Sequence, residues 1–168
     1  SLLTDLSYLP LLGFKNIATL SINNATLIII RKYTFISLVN LCALSLRENP
    51  FHVLLSQTFL VQVKLEYLDL SYTNLKYIQQ SLFKRLVSLK RVDLFHSRLI
   101  AFDLEILKPL RNLQHVSLSN TMLQIQSFVP YIFKVLHLTV KYIYVVDYEI
   151  CCLVQEVKCA SDKSVNDA

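Results

Sequence analysis

LEYLDLSYTNL, residues 65–75, and LKRVDLFHSRL, residues 89–99, are two copies of one pattern. In each, apolar side chains hold positions one, four, six and eleven, and a hydroxyl-bearing residue holds position nine. The same pattern begins at Ile17, Leu41 and Leu113, so five copies follow one another at an unbroken interval of 24 residues. A fixed period of this length marks a chain built from one small structural unit, repeated. No single unit can bury its own apolar face, so each must stack on the next. Within the unit, apolar positions four and six alternate with polar neighbours, the period of a strand with one buried face. Leu68 and Leu70 are therefore expected to point inward, and Tyr67, Asp69 and Ser71 outward. Stacked unit on unit, such strands run in parallel and make the concave face of a curved slab.

The second half of each unit carries apolar marks three residues apart: Phe35, Leu38 and Leu41, then Phe83, Leu86 and Leu89, then Leu107, Leu110 and Leu113. These predict short helical or irregular turns covering the convex side. Position nine is read as the place where an Asn amide satisfies neighbouring backbone groups. It is occupied by Ala25, Asn49, Thr73, Ser97 and Thr121. Thr and Ser substitute in part through their hydroxyls, whereas Ala25 has nothing to offer, so the first turn is expected to be the loosest. The register breaks after Leu123. The apolar pattern resumes at Val140, 27 residues from Leu113, with Ile143 and Val145. Phe128 to Val146 is read as an atypical last repeat.

Bulk composition agrees. The 168 residues suffice for one modest domain. Hydrophobic content is 54% and mean hydropathy +0.44, high for a soluble chain but natural for a repeat that spends so many positions on Leu, Ile, Val and Phe. A single glycine argues against tight hairpins. It also excludes a glycine-rich phosphate loop. The net charge of +5 and pI near 9.0 are spread thinly, with basic pairs only at Arg31–Lys32, Lys84–Arg85 and Lys90–Arg91. No arginine cluster interleaves with aromatics as a single-strand binder requires, so nucleic acid is not an expected partner. The longest apolar stretch, Phe128 to Val146, is interrupted by Lys134, His137 and Lys141. A membrane anchor would have to come from a segment outside this chain. The opening residues already sit in the repeat rhythm, with Leu11, Phe14 and Ile17 as the tail of a partial repeat. The chain reads as a piece of a longer solenoid.

Of four cysteines, Cys42 stands alone beside Leu41 and Leu44 and reads as a small apolar filler. Cys151, Cys152 and Cys159 cluster near the end. Three sulfurs without a nearby His make an incomplete zinc set. Disulfide closure of the open end of a secreted repeat fits better, with one of the three pairing outside the cluster. No metal site and no cofactor are expected. Asn24-Ala25-Thr26 is a glycosylation sequon, which suits an extracellular setting.

Together the 24-residue lettering resembles the extracellular class of leucine-rich repeats. The resemblance implies an α/β fold in the loose sense, a leucine-rich repeat solenoid with a parallel concave sheet and a C-terminal cysteine cap. The repeats are expected over residues 1–146 and the cap over residues 147–168. The run YIYVVDYEICCLVQEVKC, Tyr142 to Cys159, resembles the junction in leucine-rich-repeat G-protein-coupled receptors, nearest the relaxin-receptor branch. The resemblance rests on Ile143, Tyr144, Tyr148, Cys151, Cys152, Val157, Lys158 and Cys159. Beyond Cys159 the sequence ASDKSVNDA departs from that family. The resemblance implies a ligand-binding ectodomain at the outer face of the plasma membrane. It would capture a peptide hormone and signal through a membrane bundle. The alternative is an extracellular adhesion or immune-type repeat protein whose cap is structural.

No catalytic constellation stands out. His96 and His115 fall in adjacent repeats without a nucleophile and orienting acid in a recognisable motif, so an enzyme is not expected. The outward positions fall in three columns: Thr19, Ala43, Tyr67, Arg91, His115; Ser21, Ser45, Asp69, Asp93, Ser117; and Asn23, Arg47, Ser71, Phe95, Ser119. Asp69 and Asp93 are expected side by side, roughly 5 Å apart at the backbone. They are either two solvated carboxylates relieved by Arg91 or an acidic patch for a cationic ligand group. In relaxin-type receptors acidic residues of this face receive basic hormone side chains, so the resemblance makes this pair the candidate. Tyr67 and Phe95 flank it, aromatics being favoured at binding hot spots. The expected site is thus Tyr67, Asp69, Arg91, Asp93 and Phe95, and Asp69→Asn with Asp93→Asn is expected to abolish peptide binding with the fold intact.

Overall fold

The computed structural model describes residues 4–7 and 11–123, together with the backbone of Tyr142–Tyr144. Its main sheet carries one three-residue strand per repeat: β2 (Thr19–Ser21), β4 (Ala43–Ser45), β6 (Tyr67–Asp69), β8 (Arg91–Asp93), β9 (His115–Ser117) and β10 (Tyr142–Tyr144). All neighbours are parallel and in register, so Leu20, Leu44, Leu68, Val92 and Val116 form one row across five strands. Ile143 then pairs with Val116, an offset of 27 residues (143 − 116) in place of 24. On the opposite side, β1 (Asp5–Leu6) pairs with β3 (Ile29–Ile30), and β5 (Val53–Leu54) pairs with β7 (Tyr77–Ile78), again in parallel.

The apolar positions make the core. Leu44, Leu46, Leu68, Leu70, Val92 and Leu94 are all fully buried. Each contributes about 1.5–3 kcal/mol by leaving water. Behind them Phe35, Phe59 and Phe83 form a spine, the first two stacked with centroids 5.8 Å apart. The three-residue spacing of the convex side resolves as tight turns. Leu38 N–H donates to Phe35 O at 3.0 Å, Leu86 to Phe83 at 3.0 Å and Leu110 to Leu107 at 2.9 Å. Such i→i+3 bonds close short turns without propagating a helix. A 3-10 helix spans Leu104–Leu107, and its first turn is capped by Asp103. The sheet and the turns, with almost no helix, carry the solenoid.

Gln62 interrupts the apolar spacing between Phe59 and Leu65. It is fully buried, and its amide donates to Phe35 O at 2.7 Å and Leu38 O at 3.3 Å, fastening one repeat to the preceding one. Thr34 is buried with its hydroxyl bonded to Leu6 O and Arg31 O. Thr58, one repeat on, is equally buried and its hydroxyl has no partner.

The first turn is not loose. Asn49 reaches back one repeat: its Oδ1 accepts from Ala25 N and Leu27 N, both at 3.1 Å, and its Nδ2 donates to Ile22 O at 2.6 Å. The same Nδ2 also serves Leu46 O within its own repeat. Thr73, Ser97 and Thr121 each donate only to the carbonyl three residues before, Leu70, Leu94 and Leu118. At this position the three hydroxyls bond within their own repeat, and only the Asn amide bridges to the one before. One Asn therefore supplies the turn that Ala25 leaves unserved.

Candidate functional site

The register brings the five expected residues together. Tyr67 pairs with Arg91 and Asp69 with Asp93 across β6 and β8, and Phe95 follows two residues after Asp93. Both carboxylates, however, are only 7% exposed, and neither is simply solvated. Asp69 Oδ1 accepts from Ser71 N at 2.9 Å and Ser71 Oγ at 2.6 Å, and Oδ2 accepts from Ser45 Oγ at 3.3 Å. Asp93 Oδ1 and Oδ2 accept from Arg91 Nε at 3.1 and 2.9 Å, and Oδ2 also accepts from the Tyr67 hydroxyl at 3.1 Å. The like charges are thus accommodated by internal partners, which offsets the repulsion of neighbours directly opposed on parallel strands.

Burial sets the titration of this cluster. It raises the Asp93 carboxyl above its ordinary value, outweighing the opposing pull of Arg91. Burial first, then the charges of Asp93 and Asp69, push the Tyr67 hydroxyl well up, so it remains a donor at neutral pH. Arg91, half exposed, lies 5.7 Å from the centroid of the Tyr67 ring. The solvent-facing chemistry of this patch is an arginine over a tyrosine, with the carboxylates beneath.

Next to the patch the chain turns off the sheet through a residue with positive φ, once per repeat: Asn24 (49°), Glu48 (58°), Tyr72 (55°), His96 (54°) and Asn120 (53°). The turn is enforced from outside the residue. The N–H groups of Asn24, Glu48, Tyr72 and His96 donate to the carbonyls of Arg47, Ser71, Phe95 and Ser119 on the next rung. Left-handed Tyr, Glu and His are sterically disfavoured, and the stack holds them there. Tyr72 and His96 consequently lie ring over ring at 4.9 Å, with Phe95 edge-on to both at 5.3 and 4.6 Å. The Arg47 guanidinium covers the Tyr72 ring at 4.5 Å, and Asn120 Nδ2 sits 3.2 Å from His96 Nε2. Arg47 itself pairs with Glu48 at 2.8 Å. The sequence columns include Phe95 and Arg47 but miss Tyr72 and His96. Their signal was the same 24-residue spacing, applied one position further along. Nothing in a Tyr or His announces a left-handed turn.

Asn24 is exposed three residues beyond β2, on the first of these turns. Cys42 is a half-buried free thiol, with Sγ 3.5 Å from Asn40 O. Cys151, Cys152 and Cys159, the proposed cap over residues 147–168 and the side chains of Phe128 to Val146 lie outside the described residues. Among the described residues no group of His, Cys, Asp and Glu is arranged to hold a metal ion. No helix among them is long and apolar enough to cross a membrane. Solenoids of this kind are typically interaction scaffolds without catalysis.

Comparison with known proteins agrees with the geometry. Residues 63–123 match the family model for leucine rich repeats. No curated protein sequence matches the chain. Among solved structures, the LRIM1/APL1C complex superposes with a TM-score of 0.72 at 18% identity, over 84% of this chain and 25% of that one. The leucine-rich repeat domain of APL1B gives 0.67 at 17% identity, over 82% and 40%. The glycosylated Toll–Spatzle complex of Drosophila gives 0.58 at 22% identity, over 63% and 14%. The chain thus spans about a quarter of the first of these, and likeness at such identities concerns the fold. With its parallel rungs at 24-residue spacing, the chain is a leucine-rich repeat solenoid, and residues 63–123 carry that family's own pattern.

Proposed function

We propose that this chain is the protein-binding part of an extracellular leucine-rich repeat protein, taking a peptide or protein ligand on its concave face and the adjoining rim. One observation carries the reading: Arg47, Tyr72, Phe95 and His96 pack into a single stack at the surface, with Tyr72 and His96 exposed, on the rungs that carry Tyr67 and Arg91. Arginine and aromatic side chains contribute most at protein interfaces. Here they are already ordered before a ligand arrives, which lowers the entropic cost of association. The ligand lies across Tyr67, Arg91 and Phe95, with Asp69 and Asp93 below. A basic ligand side chain reaches Asp93 only by replacing Arg91, and reaches Asp69 only by displacing Ser45 or Ser71. An extracellular setting is supported by the exposed sequon at Asn24. It is supported too by the likeness to Toll, whose glycosylated complex with Spatzle is a molecular hub in Drosophila development and innate immunity.

Two finer readings follow. A relaxin-type receptor ectodomain at the plasma membrane, binding a peptide hormone, rests on the resemblance of Tyr142 to Cys159. An immune-type or adhesion protein rests on the likeness to LRIM1/APL1C and Toll, both found in protein complexes. Transcript sequence past the codon for Ala168 separates them: seven apolar stretches of about 20 residues establish the receptor, and a stop codon or a single anchor removes it.

The binding claim is tested by panning a displayed random peptide library against the 168-residue chain. Selected peptides are expected to lose about tenfold or more in affinity for Tyr72→Ala with Phe95→Ala. Peptides that bind this variant as well as the parent overturn the claim. Basic peptides that also fail on Asp69→Asn with Asp93→Asn support the hormone reading.

A further inference from the structure

The flank that leads into the concave strands presents a second surface. Val39, Val63 and Val87 each stand two residues before the first leucine of a repeat. They are 43%, 43% and 46% exposed. The 24-residue register stacks them, one per rung, at roughly 5 Å spacing. Leu60, 36% exposed, widens the strip. The same column begins and ends on exposed cations, Lys15 and Arg111. Single exposed valines are ordinary; three in one column, bracketed by charge, form a continuous apolar ridge.

The charge around the ridge has one sign. Segments 12–16, 36–40, 60–64, 84–88 and 108–112, which build this flank, contain six Lys or Arg and no Asp or Glu, and one of the six, Lys108, is already paired with Glu105. Exposed Lys84 and Arg85 immediately precede Val87. Elsewhere every carboxylate among the described residues is already engaged. Five are in ion pairs with Arg31, Arg47, Lys90, Arg91 and Lys108. Asp69 is held by Ser71 and Asp103 by Glu105 N. The flank is also braced: Asn40 donates to Lys15 O, Lys64 to Asn40 Oδ1 and Asn112 to Val87 O, each link joining neighbouring rungs.

We propose that this flank docks a protein segment whose acidic side chains alternate with aliphatic ones, the aliphatics on the valine ridge and the carboxylates at Lys64, Lys84, Arg85 and Arg111. Both chemistries are needed. Charge alone would take any polyanion, and the ridge alone any apolar surface; their juxtaposition selects an acidic, aliphatic partner and makes the association salt-dependent. The surface is separate from the concave rim, so the two sites can be occupied together.

The test uses the 168-residue chain and a synthetic peptide of alternating Glu and Leu, with the matching Lys and Leu peptide as control. The Glu peptide is expected to bind, the control not. Affinity is expected to fall about tenfold or more both in Lys84→Glu with Arg85→Glu and in Val63→Ser with Val87→Ser. All four positions are exposed or partly exposed surface, and the far-ultraviolet circular dichroism of the variants is expected to match the parent. No binding of the Glu peptide overturns the proposal, as does full affinity in either variant. Binding confined to phosphatidylserine vesicles or heparin, or self-association of the chain through this face, overturns it equally.

Discussion

Asn49→Thr isolates the one bridge that holds the first turn to the second. Threonine keeps the local bond that Thr73 makes to the carbonyl three residues before it, at 2.8 Å. What it loses is the reach to the preceding repeat. Leu27 N–H, buried, is left without an acceptor, at about 1–3 kcal/mol. Ala25 N–H, partly buried, and Ile22 O lose partners at about 0.5–1 kcal/mol each. The sum is about 3 kcal/mol, a fall in melting temperature of roughly 6–12 °C for a domain of this size. Thr73→Ala, which removes only the local bond, is expected to cost about 1 kcal/mol. Thermal and urea melts followed by circular dichroism give the difference, and amide exchange locates it: Leu27 N–H should exchange faster in Asn49→Thr and unchanged in Thr73→Ala. Equal destabilisation by the two variants, or an unaltered Leu27 amide, would refute the bridge.

Three further outcomes are expected. Thr58→Val replaces a buried hydroxyl that has no partner and should stabilise the chain by about 1 kcal/mol, read as a higher urea midpoint. Asp93 binds its proton more readily folded than unfolded. The folded state therefore holds more protons between pH 3.8 and the raised folded value, and stability conferred by this group is lost as pH rises through that window. Paired melts of the parent and Asp93→Asn from pH 4 to pH 7 should show the parent's relative stability declining; a rise would mean that Arg91 outweighs burial. Finally, the chain secreted from a glycosylating host should carry a mass increment removed by peptide N-glycosidase and absent in Asn24→Gln.

The architecture was legible because a solenoid repeats its instructions. Five copies at one spacing determine which residues share a rung, and the observed pairing of Asp69 with Asp93 follows from counting alone. The 27-residue interval, at which apolar lettering resumes after Leu113, is likewise the offset at which Ile143 pairs with Val116. What counting does not convey is how far a side chain reaches. Asn49 serves the repeat before its own, so the turn at Ala25 is firm where its own residue predicts weakness. Alternation placed Asp69 and Asp93 outward, which they are, but not how Ser71, Arg91 and Tyr67 close over them. Three-residue spacing suits helical and irregular turns alike, and the convex side takes the second form, as isolated i→i+3 turns. The rim has no signature in the sequence, because the backbone of Tyr72 and His96 is set by hydrogen bonds to the next rung and not by their own preferences.

The central claim is that ligand lands on the concave face and its aromatic rim. It is tested most directly by site-specific crosslinking, with a photoreactive phenylalanine analogue placed at Phe95 on that face or at Tyr77 on the convex side. With peptides selected on the 168-residue chain, crosslinking is expected from position 95 and not from position 77. Crosslinking from position 77 alone would contradict the account.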